Sequence, residues 1–206
     1  MIAVLLSIVA FGFIHSILAS KEAKSAFKEK FGERAYHGWY RLAYNIFSGV
    51  TLLPVAWLLV IQPSRVIWQV QSPITILFLI LQGIGVLGLL ISVLQIDGGQ
   101  FLGTSQLRAY LRGNDLPLPK EPLSVNGVYA FVRHPLYFFS LLVIWFIPTM
   151  SEGYLGFALG STLYFVIGSL YEERRLIEFF GDEYKQYQKK VGWMIPFVIL
   201  KKDDYP

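Results

Sequence analysis

The chain contains no cysteine, and this absence excludes three kinds of chemistry. Without thiols there is no disulfide framework, no thiolate metal site and no cysteine nucleophile. Charged residues are also scarce: Asp, Glu, Lys and Arg make up 16% of the 206 residues, against about 25% in average soluble domains. Hydrophobic residues reach 54% and cluster into long runs. This composition is typical of an integral membrane protein.

Several functional motifs are also missing. The three histidines lack H-x-x-x-H spacing, so no metal site is predicted, and neither a Walker A loop nor a G-x-S-x-G elbow occurs. Residues 83–88, GIGVLG, match G-x-G-x-x-G, but they lie inside an apolar run rather than between a strand and a helix. We expect their glycines, like Gly156 and Gly160, to allow close helix packing.

Five apolar runs predict an all-α integral membrane protein with about five transmembrane helices. The runs cover residues 1–19, 44–61, 74–96, 136–147 and 154–170. The first run lacks a basic region before it, which favours a retained helix over a cleaved signal peptide. The fourth is short for a complete crossing. After the fifth, the pattern predicts a C-terminal amphipathic helix on the cytoplasmic side, interrupted at Gly181. We expect a single domain over residues 1–206.

Lysine and arginine residues are distributed very unevenly among the loops. Seventeen fall within residues 20–43, 97–135 and the tail from 171, whereas only Arg65 lies in the loop at 62–73. By the positive-inside rule the first group faces the cytoplasm, so the N-terminus lies outside and the C-terminus inside. Because the basic residues follow this membrane pattern, the net charge of +4 does not indicate a nucleic-acid-binding protein.

This topology brings two polar stretches to the same cytoplasmic boundary. VRHPLY (132–137) opens the fourth apolar run, and YEERRL (171–176) follows the fifth. An ionisable group at membrane depth is a functional candidate. Two structural alternatives stay open. Arg133 can anchor the chain at the interface, and Glu172 and Glu173 can lie on a solvated face, paired with the arginines that follow them.

Two further ionisable residues lie at membrane depth near the cytoplasmic side. His15 lies inside the first run and Asp97 at the end of the third. Each is explained either by a hydrogen bond between helices or by a role in proton transfer.

Two stretches of this sequence resemble a known enzyme superfamily. GVYAFVRHPLY (127–137), followed by a helical hairpin and EERRLIEFFGDEYKQYQKKVGWMIPF (172–197), is similar to the isoprenylcysteine carboxyl methyltransferases and phospholipid methyltransferases. These are membrane enzymes that use S-adenosylmethionine. IDGGQFLGTSQ (96–106) and FIHS (13–16) are similar to the branch that holds methanethiol S-methyltransferases and NnrU-type proteins.

The resemblance implies a cofactor site for S-adenosylmethionine in the part of the chain from about residue 97 to 206. The residues that match cofactor-binding positions are Gly127, Val128, Tyr129, Arg133, His134, Tyr137 and Glu172. The implied reaction is S-methylation of a small lipid-soluble thiol such as methanethiol, giving dimethyl sulfide, at the bacterial inner membrane. Because a thiol attacks as its thiolate, His15 or Asp97 is the candidate catalytic base. A phospholipid or isoprenoid acceptor, and a non-catalytic NnrU-like protein, stay open as alternatives.

Two positions depart from the superfamily pattern. The isoprenylcysteine enzymes carry an arginine one helical turn before the cofactor glutamate, to hold the substrate carboxylate. This chain has Gly168 there, which argues against a carboxylate acceptor. Many members have glycine two residues after the motif tyrosine, whereas this chain has Phe139, so we expect different helix packing at that point.

Overall fold

The structure of the protein, a computed structural model, describes residues 1–197 and is largely helical. Its helices are α1 (Ile2–Ala19), α2 (Lys21–Phe31), α3 (Glu33–Ala35), a π-helical turn (Tyr36–Tyr40), α4 (Arg41–Ile61), α5 (Ile74–Leu94), α6 (Gly98–Leu102), α7 (Thr104–Leu111), α8 (Val128–Phe131), α9 (Pro135–Trp145), α10 (Glu152–Phe180) and α11 (Asp182–Lys190). Two strands, β1 (Val66–Gln69) and β2 (Thr149–Ser151), complete the element order. Lys201 and Lys202, which contribute to the predicted charge asymmetry, lie outside the described residues.

Four helices in the described part of the chain are long and apolar enough to cross a membrane. They are α1, the continuous helical segment Glu33–Ile61, α5 and α10. The prediction of a helical integral membrane protein is confirmed, but the fourth of the five predicted runs, at 136–147, corresponds to α9, which has only 11 residues. At 1.5 Å per residue it extends about 16 Å, roughly half of the hydrocarbon thickness.

Helix α10 continues well beyond the predicted end of the fifth apolar run, to Phe180. It ends at Gly181, where φ is +61°, a conformation that favours glycine. The following helix, α11, buries Tyr184 and Tyr187 on one face and leaves its charged side chains exposed. The amphipathic helix after Gly181 is therefore confirmed.

Strands β1 and β2 form a small antiparallel sheet that the sequence analysis did not predict. Trp68 pairs with Met150, and Val66 pairs with Ser151. The hydroxyl of Ser64 also accepts a hydrogen bond from the backbone N–H of Gly153. These contacts organise the turn between α9 and α10.

The chain divides into two compact units by its internal contacts. The first contains residues 1–63 and 97–121, and the second contains residues 64–96 and the chain from 122 onward. Helix α1 packs on α4 in the first unit, and α5 packs on α9 in the second. The assignment of a single membrane-embedded domain stays a prediction.

Small residues let α5 and α9 pack closely. A Cβ atom added at Gly88 would lie 2.2 Å from Cδ1 of Phe139, and one at Gly85 would lie 2.8 Å from Cγ2 of Val143. Gly85 and Gly88 of the G-x-G-x-x-G match are therefore packing positions, as predicted, whereas Gly83 meets no neighbouring atom within 4 Å. Gly88 also accommodates the buried ring of Phe139, the residue at which the sequence departs from the superfamily.

Candidate functional site

Glu173, on α10, is completely buried and lies among hydrogen-bond donors. Nε and Nη2 of Arg133 donate to its two carboxylate oxygens at 2.9 and 3.1 Å. The hydroxyl of Tyr184 donates at 2.7 Å, Nε2 of His134 lies 2.7 Å from Oε1, and the amide of Gln188 donates to Oε2. Because a buried charge is costly unless it is paired and hydrogen-bonded, these contacts explain how Glu173 is tolerated. Its assignment to a solvated face is wrong.

Arg133 is buried as well, and its side chain joins two parts of the second unit. Besides the pair with Glu173, Nη1 donates to the carbonyl oxygens of Gln188 and Val191, at 3.1 and 2.7 Å. Its backbone N–H donates to the carbonyl of Gly192 at 2.8 Å. The alternative that Arg133 extends to the membrane surface is therefore wrong. The cofactor contact suggested by the resemblance stays a prediction.

His134 lies between the two acidic residues of α10. Its Nε2 faces Glu173, and its Nδ1 is 3.6 Å from Oε2 of Glu172. Burial acts to lower the pKa of His134, but the neighbouring carboxylates raise it above the ordinary value for histidine. The imidazole ring also stacks on Tyr137, with centroids 5.6 Å apart. These contacts favour the charged form of His134.

Glu172 differs from its buried neighbour because successive residues of a helix point about 100° apart. Its side chain is 34% exposed. Oε2 accepts a hydrogen bond from the hydroxyl of Tyr137 at 2.9 Å, whereas Oε1 accepts none within residues 1–197. The ring of Tyr137 stacks in turn on Phe165, with centroids 5.2 Å apart. Glu172 therefore presents a half-exposed carboxylate beside aromatic rings.

Gly168 lies one helical turn before Glu172, on the side of α10 that is near the hydroxyl of Tyr137. A Cβ atom added there would approach the hydroxyl of Tyr137 at 3.9 Å. The glycine therefore leaves open space at the position where the isoprenylcysteine enzymes carry an arginine.

The turn before α8 holds the remaining predicted cofactor residues. Gly127 has φ +59°, and the N–H of Val128 donates to Oε1 of Gln95 at 3.1 Å. The hydroxyl of Tyr129 donates to the carbonyl of Ser92 at 3.4 Å. The end of α5 and the turn are thus connected by two hydrogen bonds. This turn and the motif residues of α9 and α10 all belong to the second unit.

Three residues of this cluster were not predicted from the sequence: Gln95, Tyr184 and Gln188. The apolar spacing of α11 indicated that Tyr184 is buried, but not that its hydroxyl faces a carboxylate. Burial first, and then the charge of Glu173, raise the pKa of Tyr184, so its phenol stays a hydrogen-bond donor. Gln95 lies two residues before Asp97, beside a stretch that the resemblance had already marked.

The two candidate bases lie in the first unit. The hydroxyl of Tyr44, on α4, lies beside both ring nitrogens of His15, at 2.9 Å from Nδ1 and closer still to Nε2. The carboxylate of Asp97 caps α6 by accepting a hydrogen bond from the N–H of Gln100 at 2.9 Å. This bond is the main cause that lowers the pKa of Asp97 and makes it a weaker proton acceptor. Both catalytic roles stay predictions.

Comparison with known proteins identifies relatives over nearly the whole chain. The chain is 33% identical over 201 residues to a methanethiol S-methyltransferase of Pseudomonas deceptionensis, covering 93% of this chain and 71% of the relative. The chain belongs to the methanethiol S-methyltransferase family. Methanethiol S-methyltransferase 1 of Bradyrhizobium diazoefficiens is 32% identical over 196 residues, which is 94% of this chain and 66% of that family member.

The chain thus spans about two thirds of the length of these two family members. A Schizosaccharomyces pombe protein-S-isoprenylcysteine O-methyltransferase is 40% identical over 83 residues, covering 37% of this chain and 34% of that enzyme. These relatives confirm the resemblance to both the branch and the superfamily. No family model matches the chain, and no solved structure matches it.

Proposed function

We propose that the protein is an S-adenosylmethionine-dependent membrane methyltransferase that converts methanethiol to dimethyl sulfide. Membership of the methanethiol S-methyltransferase family supports the class of reaction. The observation that carries the cofactor assignment is the carboxylate of Glu172. It lies near the end of a membrane-spanning helix, half exposed, with one hydrogen-bonded oxygen and one oxygen that accepts no bond within residues 1–197. An acid at this depth is expected to serve a ligand.

The chemistry of the site fits the charges of the cofactor. S-Adenosylmethionine supplies an electrophilic methyl group on a sulfonium, and it also carries an ammonium and a carboxylate. Glu172 would pair the ammonium, and Phe165, which stacks on Tyr137 with one face, would offer its other face to the positive sulfonium. The backbone of Gly127 and Val128 would form one wall of the cofactor site. Arg133 would support the cofactor site indirectly: its guanidinium donates two hydrogen bonds to the carboxylate of Glu173, which lies beside Glu172 on α10.

A small uncharged acceptor is consistent with the surroundings of Glu172. Gly168 leaves open the space beside the hydroxyl of Tyr137 and supplies no cation for a substrate carboxylate. A small apolar thiol dissolves in the bilayer and can approach from it, which gives a physical reason for a membrane-embedded enzyme.

The proton of the thiol must be removed because the thiolate is the nucleophile. Of the two candidate bases, His15 is the better one, since the ordinary pKa of histidine is close to neutrality. The carboxylate of Asp97 is engaged as a helix cap and has a lowered pKa. In this account His15 takes the proton, and Tyr44 holds its ring through a hydrogen bond.

The orientation proposed for the chain follows from its loops. Seventeen of eighteen lysine and arginine residues lie on one predicted side, so that side is the cytoplasm. The motif from 133 to 137 and the end of α10 then meet the cytoplasmic pool of cofactor at the inner membrane.

The test is a product assay with purified protein in detergent. Methyl-labelled S-adenosylmethionine is supplied with methanethiol or with phosphatidylethanolamine, and the products are identified by gas chromatography and by lipid extraction. Labelled dimethyl sulfide supports the proposal. Label in the lipid alone assigns a phospholipid acceptor instead, and no transfer together with no cofactor binding favours a non-catalytic protein.

A further inference from the structure

Gln95 was assigned no role from the sequence, yet its side chain contacts one of the predicted cofactor-binding turns. It directly follows the last residue of α5 as its C-cap, and its side chain extends to the turn at Gly127. Oε1 accepts the hydrogen bond from the N–H of Val128, while Nε2 lies where a Cβ atom of residue 127 would be, only 1.7 Å from that position. The side chain therefore makes both a polar and a steric contact with the same turn.

The two contacts concern the N–H group of Val128, which is unpaired within α8, and the backbone conformation of Gly127. Val128 is the first residue of α8, and the first N–H groups of a helix have no partner within the helix. The preceding residue is glycine and has no side chain with which to cap it. Gln95 supplies the missing acceptor from another helix. At φ +59° the backbone of Gly127 also adopts a conformation that side chains disfavour, so glycine suits the turn on two grounds.

We propose that Gln95 is a positioning residue for cofactor binding, which holds the Gly127–Val128 turn in the conformation that receives S-adenosylmethionine. The inference rests on the proposed function, since it takes this turn as a wall of the cofactor site. Gln95 acts through the backbone of the turn and not by direct contact with reacting atoms. Its loss therefore weakens the affinity for the cofactor more than the affinity for the thiol.

The chain offers a matched control on the same helix. Gln82 also lies on α5, and its amide donates to a backbone carbonyl, that of Val143, at 2.9 Å. This bond joins α5 to α9 far from the turn at Gly127. Replacing Gln82 removes a hydrogen bond of the same kind without disturbing the proposed cofactor wall.

The experiment compares Gln95→Met, Gln95→Glu and Gln82→Met with the wild-type protein in detergent. Methionine keeps the length of the side chain but accepts no strong hydrogen bond, whereas glutamate keeps an acceptor for the N–H of Val128. The readouts are the Kd for S-adenosylmethionine by calorimetry, the KM for cofactor and for methanethiol, and the melting temperature. Gln95→Met is expected to raise the Kd and KM for cofactor about fivefold to tenfold, the loss expected for one neutral hydrogen bond with its packing.

The other readouts separate positioning from general stability. Gln95→Met should leave the KM for methanethiol unchanged, Gln95→Glu should recover most of the cofactor affinity, and Gln82→Met should lower only the melting temperature. The inference is overturned if Gln95→Met binds cofactor like the wild type, if Gln82→Met weakens binding equally, or if glutamate gives no recovery. A wild-type protein that binds no cofactor overturns the proposed function itself, and the role of Gln95 with it.

Discussion

Arg133 and Glu173 form a doubly hydrogen-bonded ion pair in which both side chains are shielded completely from solvent. The pair joins the R-H-P motif before α9 to the double-glutamate motif near the end of α10. The two motifs are 40 residues apart in sequence, and each supplies the partner that the other needs. Since Glu173 is fully engaged inside the protein, Glu172 is the acid that we propose as the ligand-binding one.

Breaking this pair should destabilise the protein strongly. Arg133→Ala leaves the carboxylate of Glu173 buried without its main partner, which typically costs about 3–5 kcal/mol. Thermal unfolding in detergent measures the loss. The control is Arg65→Ala, because the Arg65–Glu152 pair is 84% and 39% exposed, and such pairs contribute at most about 1 kcal/mol. Equal losses in the two variants would show that the buried pair is unimportant.

The packing of α5 on α9 predicts opposite results for two glycines on the same helix. Gly88→Ala drives a methyl group into the ring of Phe139 and should cost about 1–3 kcal/mol. Gly83→Ala meets no atom within 4 Å, so it should be neutral or stabilise the helix by up to about 1 kcal/mol. Melting temperatures of the two variants check this difference. If Gly88→Ala is as stable as Gly83→Ala, the close contact with Phe139 does not exist.

The proposed base predicts a specific kinetic defect. His15→Ala should lower kcat for methanethiol by about 10²–10⁴-fold at neutral pH, the range usual for general base catalysis. The defect should shrink as the pH rises, because the thiol then ionises without help. His37→Ala is the matched control, since His37 pairs with Glu33 at the protein surface. Asp97→Asn should leave kcat nearly unchanged, and a large defect there with none in His15→Ala would reverse the assignment.

The architecture was largely predictable because apolar runs and loop charges follow simple rules. The predicted runs at 44–61 and 74–96 correspond to helices that end at Ile61 and Leu94. The length of α9 was harder to predict, since apolar composition does not tell where a helix gives way to a turn. The β1–β2 sheet was missed because two strands of four and three residues carry little periodicity.

Only part of the candidate site was predictable from the sequence, because several of its contacts depend on three-dimensional packing. Glu172 and Glu173 are chemically identical neighbours, and the three-dimensional packing of α11 and of the motif at 133–134 against α10 determines which one is buried. Gln95 and Gln188 act by contacts that join distant parts of the chain, and a single glutamine leaves no pattern in the sequence. The motif resemblance located Arg133 but could not distinguish a cofactor contact from a partner of Glu173.

The central claim is that the half-exposed carboxylate of Glu172 binds S-adenosylmethionine. The most direct test measures cofactor affinity by calorimetry in detergent for the wild type and Glu172→Gln, with Glu152→Gln as a control at the opposite end of the same helix. Saturable binding that Glu172→Gln weakens about 10- to 100-fold is expected, since hydrogen bonds to charged groups are worth about 1.5–3 kcal/mol. Glu152→Gln should bind as the wild type does. Equal affinity in wild type and Glu172→Gln, or no binding by the wild type, would contradict the account.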